Sequence, residues 1–336
     1  MKILVTGGAG YIGMHASLEL LAKGHQVVIF DNLVNSKQAA LARLEQISEQ
    51  SVPFYLGDIR DKNALDRVFT EHKFDAVMHF AGLKAVGEST RIPLDYYDVN
   101  VTGTRELVAA MLRHQVKCVV FSSSATVYGN PQTVPIHEDF PLSATSPYGR
   151  TKLVVEEMLR EVVTAHPELS VVLLRYFNPG GAHKSGLIGE DPNGIPNNLI
   201  PFISQVAVGR RDYLSVYGGN YPTRDGTGVR DYIHVIDLAE GHLVALEKLH
   251  DKPGVHTYNL GTGRGYSVLE ILQAFVTASG KKIGYKIVER RPGDIAECWA
   301  DPTKAREELG WVSKRGIDEM AEDVWRWQSN NPNGFE

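Results

Sequence analysis

Tyr148 and Lys152 stand four residues apart in Ser146-Pro147-Tyr148-Gly149-Arg150-Thr151-Lys152, and that pairing can make a base. Ser146 is a good N-cap and Pro147 suits the first helical position, so the tyrosine falls in the first turn of a helix. Residues at i and i+4 share a helix face, which brings the Lys152 ammonium near the Tyr148 phenol. A free tyrosine has a pKa of about 10, so a tyrosinate working near pH 7 needs about 4 kcal/mol of differential stabilisation. One cation about 4 Å away, at an effective dielectric of about 20, supplies energy of that order. The spacing alone is weak evidence. With 14 tyrosines in 336 residues, chance produces such a pair about as often as not, and its meaning rests on what precedes it.

The elements before it have a regular rhythm. Short apolar runs at 2–6, 26–31, 52–57, 76–80, 118–122 and 171–176 read as strands, and amphipathic stretches at 11–23, 37–49, 61–72, 93–114 and 147–165 read as helices. Strands alternating with helices predict an α/β fold, a doubly wound parallel sheet with helices on both faces. Past Asn178 the texture changes, with Gly, Pro and Asn crowding 179–201 and shorter elements following. The expected division is 1–177 for the first domain and 178–336 for a smaller C-terminal α/β domain, with the helix-like stretch 235–249 able to return and pack on the first.

Composition narrows the partners. A net charge of −5 without a basic block gives no electrostatic case for nucleic acid or an anionic membrane. A strand opening at Lys2 leaves no room for a signal peptide, and no apolar run reaches membrane-spanning length, so a cytoplasmic protein is expected. Two distant cysteines, Cys118 and Cys298, suggest neither a disulfide scaffold nor a metal site.

Between the first strand and first helix lies Thr6-Gly7-Gly8-Ala9-Gly10-Tyr11-Ile12-Gly13, a G-x-x-G-x-x-G spacing. Glycines there permit a tight turn and let backbone N–H groups approach a pyrophosphate at the helix N-terminus. The second strand ends in Asp31, where a carboxylate can take ribose hydroxyls and repel a 2'-phosphate, so NAD is expected over NADP. Asp58, after the third strand, either reaches the adenine or starts a helix as its N-cap.

With Gly7, Gly10 and Gly13, then Ser122-Ser123-Ser124 at a strand end, then Tyr148 and Lys152, the chain resembles the extended short-chain dehydrogenase/reductase family. Segments 80–89, 124–129, 176–179 and 228–234 narrow the likeness to its branch of UDP-hexose 4-epimerases and span both domains. Met14 replaces a common serine, and Cys298 stands where many bacterial relatives carry tyrosine. The resemblance implies a Rossmann-type first domain and a UDP-sugar-binding second domain. It implies that Tyr148 accepts and donates the proton, that Lys152 lowers its pKa and holds the nicotinamide ribose, and that Ser124 hydrogen-bonds the reacting hydroxyl. Tyr11, Ile12, Asp31, Asn32, Ser36, Asp58, Ile59, Phe80, Lys84 and Phe177 match NAD-contact positions. Asn178, Asn198, Leu199, Tyr217, Arg230, Arg291 and Asp294 match positions that hold UDP-sugar, where guanidinium forks suit a diphosphate. Cys298, small and seven residues past Arg291, would leave room for an N-acetyl group on the sugar. Asn100 reads as structural.

Members of this family oxidise the sugar at C4 before their paths diverge. A 4,6-dehydratase needs a further acid and base, an Asp-Glu pair where this chain has Ala125-Thr126. Decarboxylases of UDP-glucuronate usually carry glutamate at the Thr126 position, and a regulatory NAD-binding module could dispense with Ser124, Tyr148 and Lys152. Epimerisation asks least: hydride leaves C4, the keto sugar turns over, and the hydride returns to the other face. UDP-galactose and UDP-glucose are the expected pair. The stretch 147–165 is apolar on more than one face, through Leu153, Val154, Val155, Met158, Leu159, Val162 and Val163, so it wants two partners. Relatives pack this helix and the one before it into a four-helix bundle, which implies a homodimer.

Overall fold

The computed structural model describes residues 1–291 and 294–336. The chain runs through β1 (Lys2–Thr6), the glycine turn, α1 (Tyr11–Ala22), β2 (Gln26–Asp31), α2 (Gln38–Ser48), β3 (Phe54–Leu56), α3 (Lys62–Glu71) and β4 (Ala76–His79). Two single turns, α4 (Val86–Ser89) and α5 (Pro93–Tyr96), lead through a π-helical segment, Tyr97–Thr102, into α6 (Gly103–Arg113). β5 (Cys118–Ser124), α7 (Pro147–Ala165) and β6 (Ser170–Tyr176) follow. The strands pair in parallel, and their side chains alternate between two cores. Ile3, Val5, Val120, Val172 and Leu174 enter one, while Leu4, Val119, Phe121, Val171 and Leu173 enter the other. A strand covered on both faces buries successive side chains alike, which is why these apolar runs are near-continuous rather than alternating.

The remainder supplies β7 (Asn178–Gly180), α8 (Leu199–Ala207), β8 (Leu214–Tyr217), β9 (Val229–His234), α9 (Val235–Leu249), β10 (Gly254–Leu260), β11 (Gly265–Ser267), α10 (Val268–Ser279), β12 (Tyr285–Val288), β13 (Glu297–Cys298) and α11 (Ile317–Asn330). β10 does not stay with its sequence neighbours. It lies parallel to β6 as the seventh strand of the first sheet, in the order β10-β6-β5-β4-β1-β2-β3. The periodicity of the first half shows only six strands, because this one is an edge strand whose His256, Thr257 and Asn259 break the apolar run. α9 returns as well, setting Leu238, Leu243 and Leu246 in the same core as Met14, Leu18 and Leu21 of α1. β9 is the centre of a small sheet with β7, β11 and β13, and β8 pairs with β12.

The stretch 93–114 is helical throughout but not uniform. Its π-helical segment carries Asn100, whose buried amide accepts from Leu83 N at 2.8 Å and donates to Leu83 O at 3.0 Å and Thr151 Oγ1 at 3.0 Å. An insertion of this kind re-aims one side chain without ending the helix. The loop after β4 is thereby pinned to α7. In doubly wound sheets, ligands bind beyond the strand ends where the order reverses, and here that crevice opens between β1 and β4.

Candidate active site

The strand β5 ends at Ser124, which pairs with Tyr176 of β6 and whose hydroxyl accepts from Thr126 N at 3.2 Å and Thr126 Oγ1 at 3.0 Å. α7 begins as the sequence implies: Ser146 caps it, accepting from Gly149 N at 3.1 Å, and Pro147 occupies its first turn. Gly149 allows the approach of the two elements, since a Cβ there would lie 2.9 Å from the Thr126 carbonyl oxygen. Tyr148 is thereby brought to Ser124. Lys152, one turn further, is buried, donates to Ser122 O at 2.8 Å, and holds its Nζ 6.0 Å from the centroid of the Tyr148 ring.

The electrostatics depart from the expected depression of the tyrosine. Burial raises the Tyr148 phenol above its ordinary pKa, with Ser124 drawing it back. Burial also pushes the Lys152 ammonium down to about 8, opposed by Glu156 one turn along α7. The lysine's ammonium bonds the Ser122 carbonyl, so its effect on Tyr148 acts through space across the 6.0 Å to the ring centroid. A working tyrosinate therefore calls for further positive charge beside Tyr148.

The glycine turn is a cradle that side chains would fill. Gly7 has φ +71°, and a Cβ on it would lie 2.6 Å from Ala81 N, while one on Gly13 would lie 2.3 Å from Gly7 O. Gly10 caps α1 without any side-chain bond, leaving the first N–H groups of the helix for a phosphate. Asp31 is buried at the end of β2, accepting from Ala9 N at 3.1 Å, Leu33 N at 2.8 Å and Ser36 Oγ at 2.9 Å. Asp58 does not cap α3; Asp61 does, accepting from Asn63 N and Ala64 N. The Asp58 carboxylate is held by Arg60, which takes it down to about 2, and accepts from Asn32 Nδ2 at 3.1 Å. Tyr11 and Ile12 are partly buried at the start of α1, and Phe80 directly follows β4, its ring 4.8 Å from that of His242. The side chain of Ile59 is buried in the core and packs against Gly103 of α6. These residues fit a dinucleotide with an unphosphorylated ribose.

Across the crevice, β9 carries Arg230, whose register partner on β13 is Cys298. Arg291 stacks 4.9 Å from the centroid of Tyr217 at the end of β8 and pairs with Asp294 at 2.8 Å. Burial pushes the Tyr232 phenol up to about 12, with Arg230 and Arg291 opposing that rise. Asn178 is exposed on β7, and Asn198 stands at the N-cap of α8, directly before Leu199. Cys298 packs with Val127, Tyr128, Leu153 and Phe177, and so lies close to the neighbours of Ser124 and Lys152. Burial pushes its thiol up to about 11.

Known proteins with this arrangement are numerous. The profile of a family described as GDP-mannose 4,6 dehydratase matches residues 4–324. A UDP-glucose 4-epimerase of Bacillus subtilis (strain 168) is 62% identical over 335 residues, covering 100% of this chain and 99% of that one. The human UDP-glucose 4-epimerase is 58% identical, covering 99% and 98%. The chain belongs to the UDP-glucose 4-epimerase family. A crystal structure of the Bifidobacterium longum UDP-glucose 4-epimerase in complex with NAD+ and UDP superimposes with a TM-score of 0.97 at 54% identity, covering 99% of this chain and all of that one.

Membership in the UDP-glucose 4-epimerase family directs attention to residues that sequence reasoning missed. Glu156 and Arg175 form a buried pair, side chains 1% and 2% exposed, with Arg175 Nε 2.9 Å and its terminal nitrogen 2.6 Å from the two carboxylate oxygens. Ser123 Oγ also donates to Glu156, and Arg175 donates to Tyr128 OH at 3.0 Å and Glu138 O at 3.1 Å. The pair locks β5 and β6 to the helix bearing Tyr148 and Lys152. Its one sequence signal is a glutamate and an arginine inside otherwise apolar stretches. Glu190, in the loop between β7 and α8, accepts from both Lys84 and Asn198, and nothing in its Gly- and Pro-rich surroundings announces it.

Proposed function

We propose that this chain is an NAD-dependent 4-epimerase that interconverts UDP-galactose and UDP-glucose. The observation that carries the reading is the convergence of Ser124, Tyr148 and Lys152, with Thr126 rather than a carboxylate residue beside Ser124 and bonded to it. Dehydration would need a carboxylate acid and base there. When bound, NAD supplies the hydride acceptor and donor for C4 and, in its oxidised form, a ring charge that adds to that of Lys152. Tyr148 takes the proton of the 4-hydroxyl and returns it, Ser124 orients that hydroxyl, and Lys152 balances the charge on the phenol. Arg230 and Arg291 hold the diphosphate, supported by Asn178, Asn198, Leu199, Tyr217 and Asp294.

Two features support a homodimer in the cytoplasm. Val154, Met158, Val162 and Val163 of α7 remain only half-buried, and nearby α5 leaves Leu94 80% exposed. An apolar face of this kind suits a second copy. Among the described residues no helix is long and apolar enough to cross a membrane, and both cysteines are free. The test uses purified protein, UDP-galactose and no added NAD, with UDP-glucose formation followed by a coupled dehydrogenase. Product is expected, from a species of twice 37.1 kDa in light scattering. An inactive protein that stays inactive with NAD overturns the activity, and a monomer overturns the pairing.

Cys298 supports a wider sugar range, UDP-GlcNAc and UDP-GalNAc as well as the unsubstituted pair. Its neighbours Val127, Tyr128 and Phe177 are already packed, so a tyrosine ring at this position would project toward the sugar rather than into the core. Cys298→Tyr should cut turnover of UDP-GlcNAc at least about tenfold and spare UDP-galactose. A wild type inactive on UDP-GlcNAc, or a variant that keeps that activity, removes this position as the gate.

A further inference from the structure

Glu190 connects two parts of the site that the sequence separates by more than a hundred residues. Its Oε1 accepts from Lys84 Nζ at 3.1 Å and from Asn198 Nδ2 at 3.0 Å. Lys84 belongs to the loop after β4, on the cofactor side, and Asn198 to the start of α8, on the substrate side. The Glu190 side chain is 8% exposed and its Oε2, fully buried, has no hydrogen-bond partner among the described residues, whereas Lys84 is 52% exposed. A carboxylate this dry is held in place by its surroundings: Gly189 packs on the Trp327 ring, and Trp327 Nε1 donates to Glu190 O at 3.4 Å. The same loop is tied to the adenosine side, where Lys37 pairs with Asp191 at 2.8 Å and Asn193 Nδ2 donates to Val34 O at 2.9 Å.

We propose that Glu190 is a positioning residue that couples the two halves of the crevice, holding Lys84 and Asn198 in one geometry so that NAD retention and UDP-sugar affinity depend on each other. The proposal rests on the epimerase reading of the site. A buried carboxylate cannot remain uncompensated, so it keeps both donors oriented, and displacing either donor frees the carboxylate to shift and carry the other with it. Coupling through a shared residue is reciprocal: what NAD gains from the presence of UDP, UDP gains from NAD.

The signature is a cross-effect, which a purely structural role would not produce. Lys84→Met, on the cofactor side, should weaken UDP binding to NAD-saturated protein about tenfold, the scale of one charge-assisted hydrogen bond. Asn198→Ala, on the substrate side, should speed NAD release after rapid gel filtration by a similar factor. Glu190→Gln should do both, and should add little to either defect in the Lys84→Met or Asn198→Ala background. If Glu190→Gln fails to fold, the two other variants still carry the test. Defects confined to each variant's own side, with wild type binding both NAD and UDP, overturn the coupling alone. A wild type that binds neither overturns the epimerase reading and the coupling with it.

Discussion

Replacing Tyr148 by phenylalanine should lower kcat by about 10² to 10⁴ while changing UDP affinity little, because the ring stays and only the proton-carrying oxygen goes. That loss is expected even though burial holds the phenol above its ordinary pKa. A general base does not need a low pKa in isolation; it needs one when substrate and cofactor charge surround it. The ring of Tyr148 meets Tyr96 edge-on with centroids 6.4 Å apart, and phenylalanine preserves that contact, so thermal unfolding should shift by no more than a degree or two. Single-turnover kinetics with UDP-galactose give the readout. A variant that keeps more than about a tenth of wild-type turnover moves the proton transfer to another group.

Stability should be most sensitive at the pair behind the site. Glu156→Ala strands the Arg175 guanidinium in a core where it is 2% exposed, and removing one partner of a buried pair typically costs about 3–5 kcal/mol. For a chain of this size that is a fall in melting temperature of about 4–7 °C. Changing both residues together, Glu156→Leu with Arg175→Leu, removes the stranded charge and should be milder than Glu156→Ala, despite losing the bonds to Ser123 and Tyr128. Calorimetry on the three proteins decides the matter. A single variant as stable as the double would mean that water or Glu138 takes over the guanidinium, and that burial is not what makes the pair sensitive.

The legible parts of the molecule were those governed by local rules. β1, β2, β4, β5 and β6 are buried on both faces and therefore carry continuous apolar runs, and the Ser146-Pro147 cap marks the start of α7 without ambiguity. The close approach of Gly13 to Gly7 and the bonds of Asp31 to Leu33 and Ser36 are similarly local, each made within a few residues. The less legible parts depend on partners distant in sequence. β10 has the mixed composition of an edge strand, and only its neighbour β6 identifies it. Glu190 takes its meaning from Lys84, which no spacing rule connects to it. The π-helical segment at 97–102 is legible only through the bonds Asn100 makes to Leu83 and Thr151. The tyrosine's electrostatics were missed for a different reason: helical spacing gives the direction of Lys152 but not the dielectric around it, nor its competing bond to Ser122.

The placement of β10 also orders the protein's synthesis. As the chain leaves the ribosome, β1 to β6 are available once residue 176 has emerged, but the outer edge of β6 has no partner until residues 254–260 follow. Through that interval the nascent sheet presents an open edge lined by Val171, Val172, Leu173 and Leu174, and α1 lacks the cover of α9. Such an edge is a template for pairing with another chain. The half of the molecule that resembles an autonomous nucleotide-binding unit is therefore not one that can be cut out at residue 177: a fragment ending there would carry an exposed strand and half-clothed helix, and would be prone to self-association rather than to folding alone.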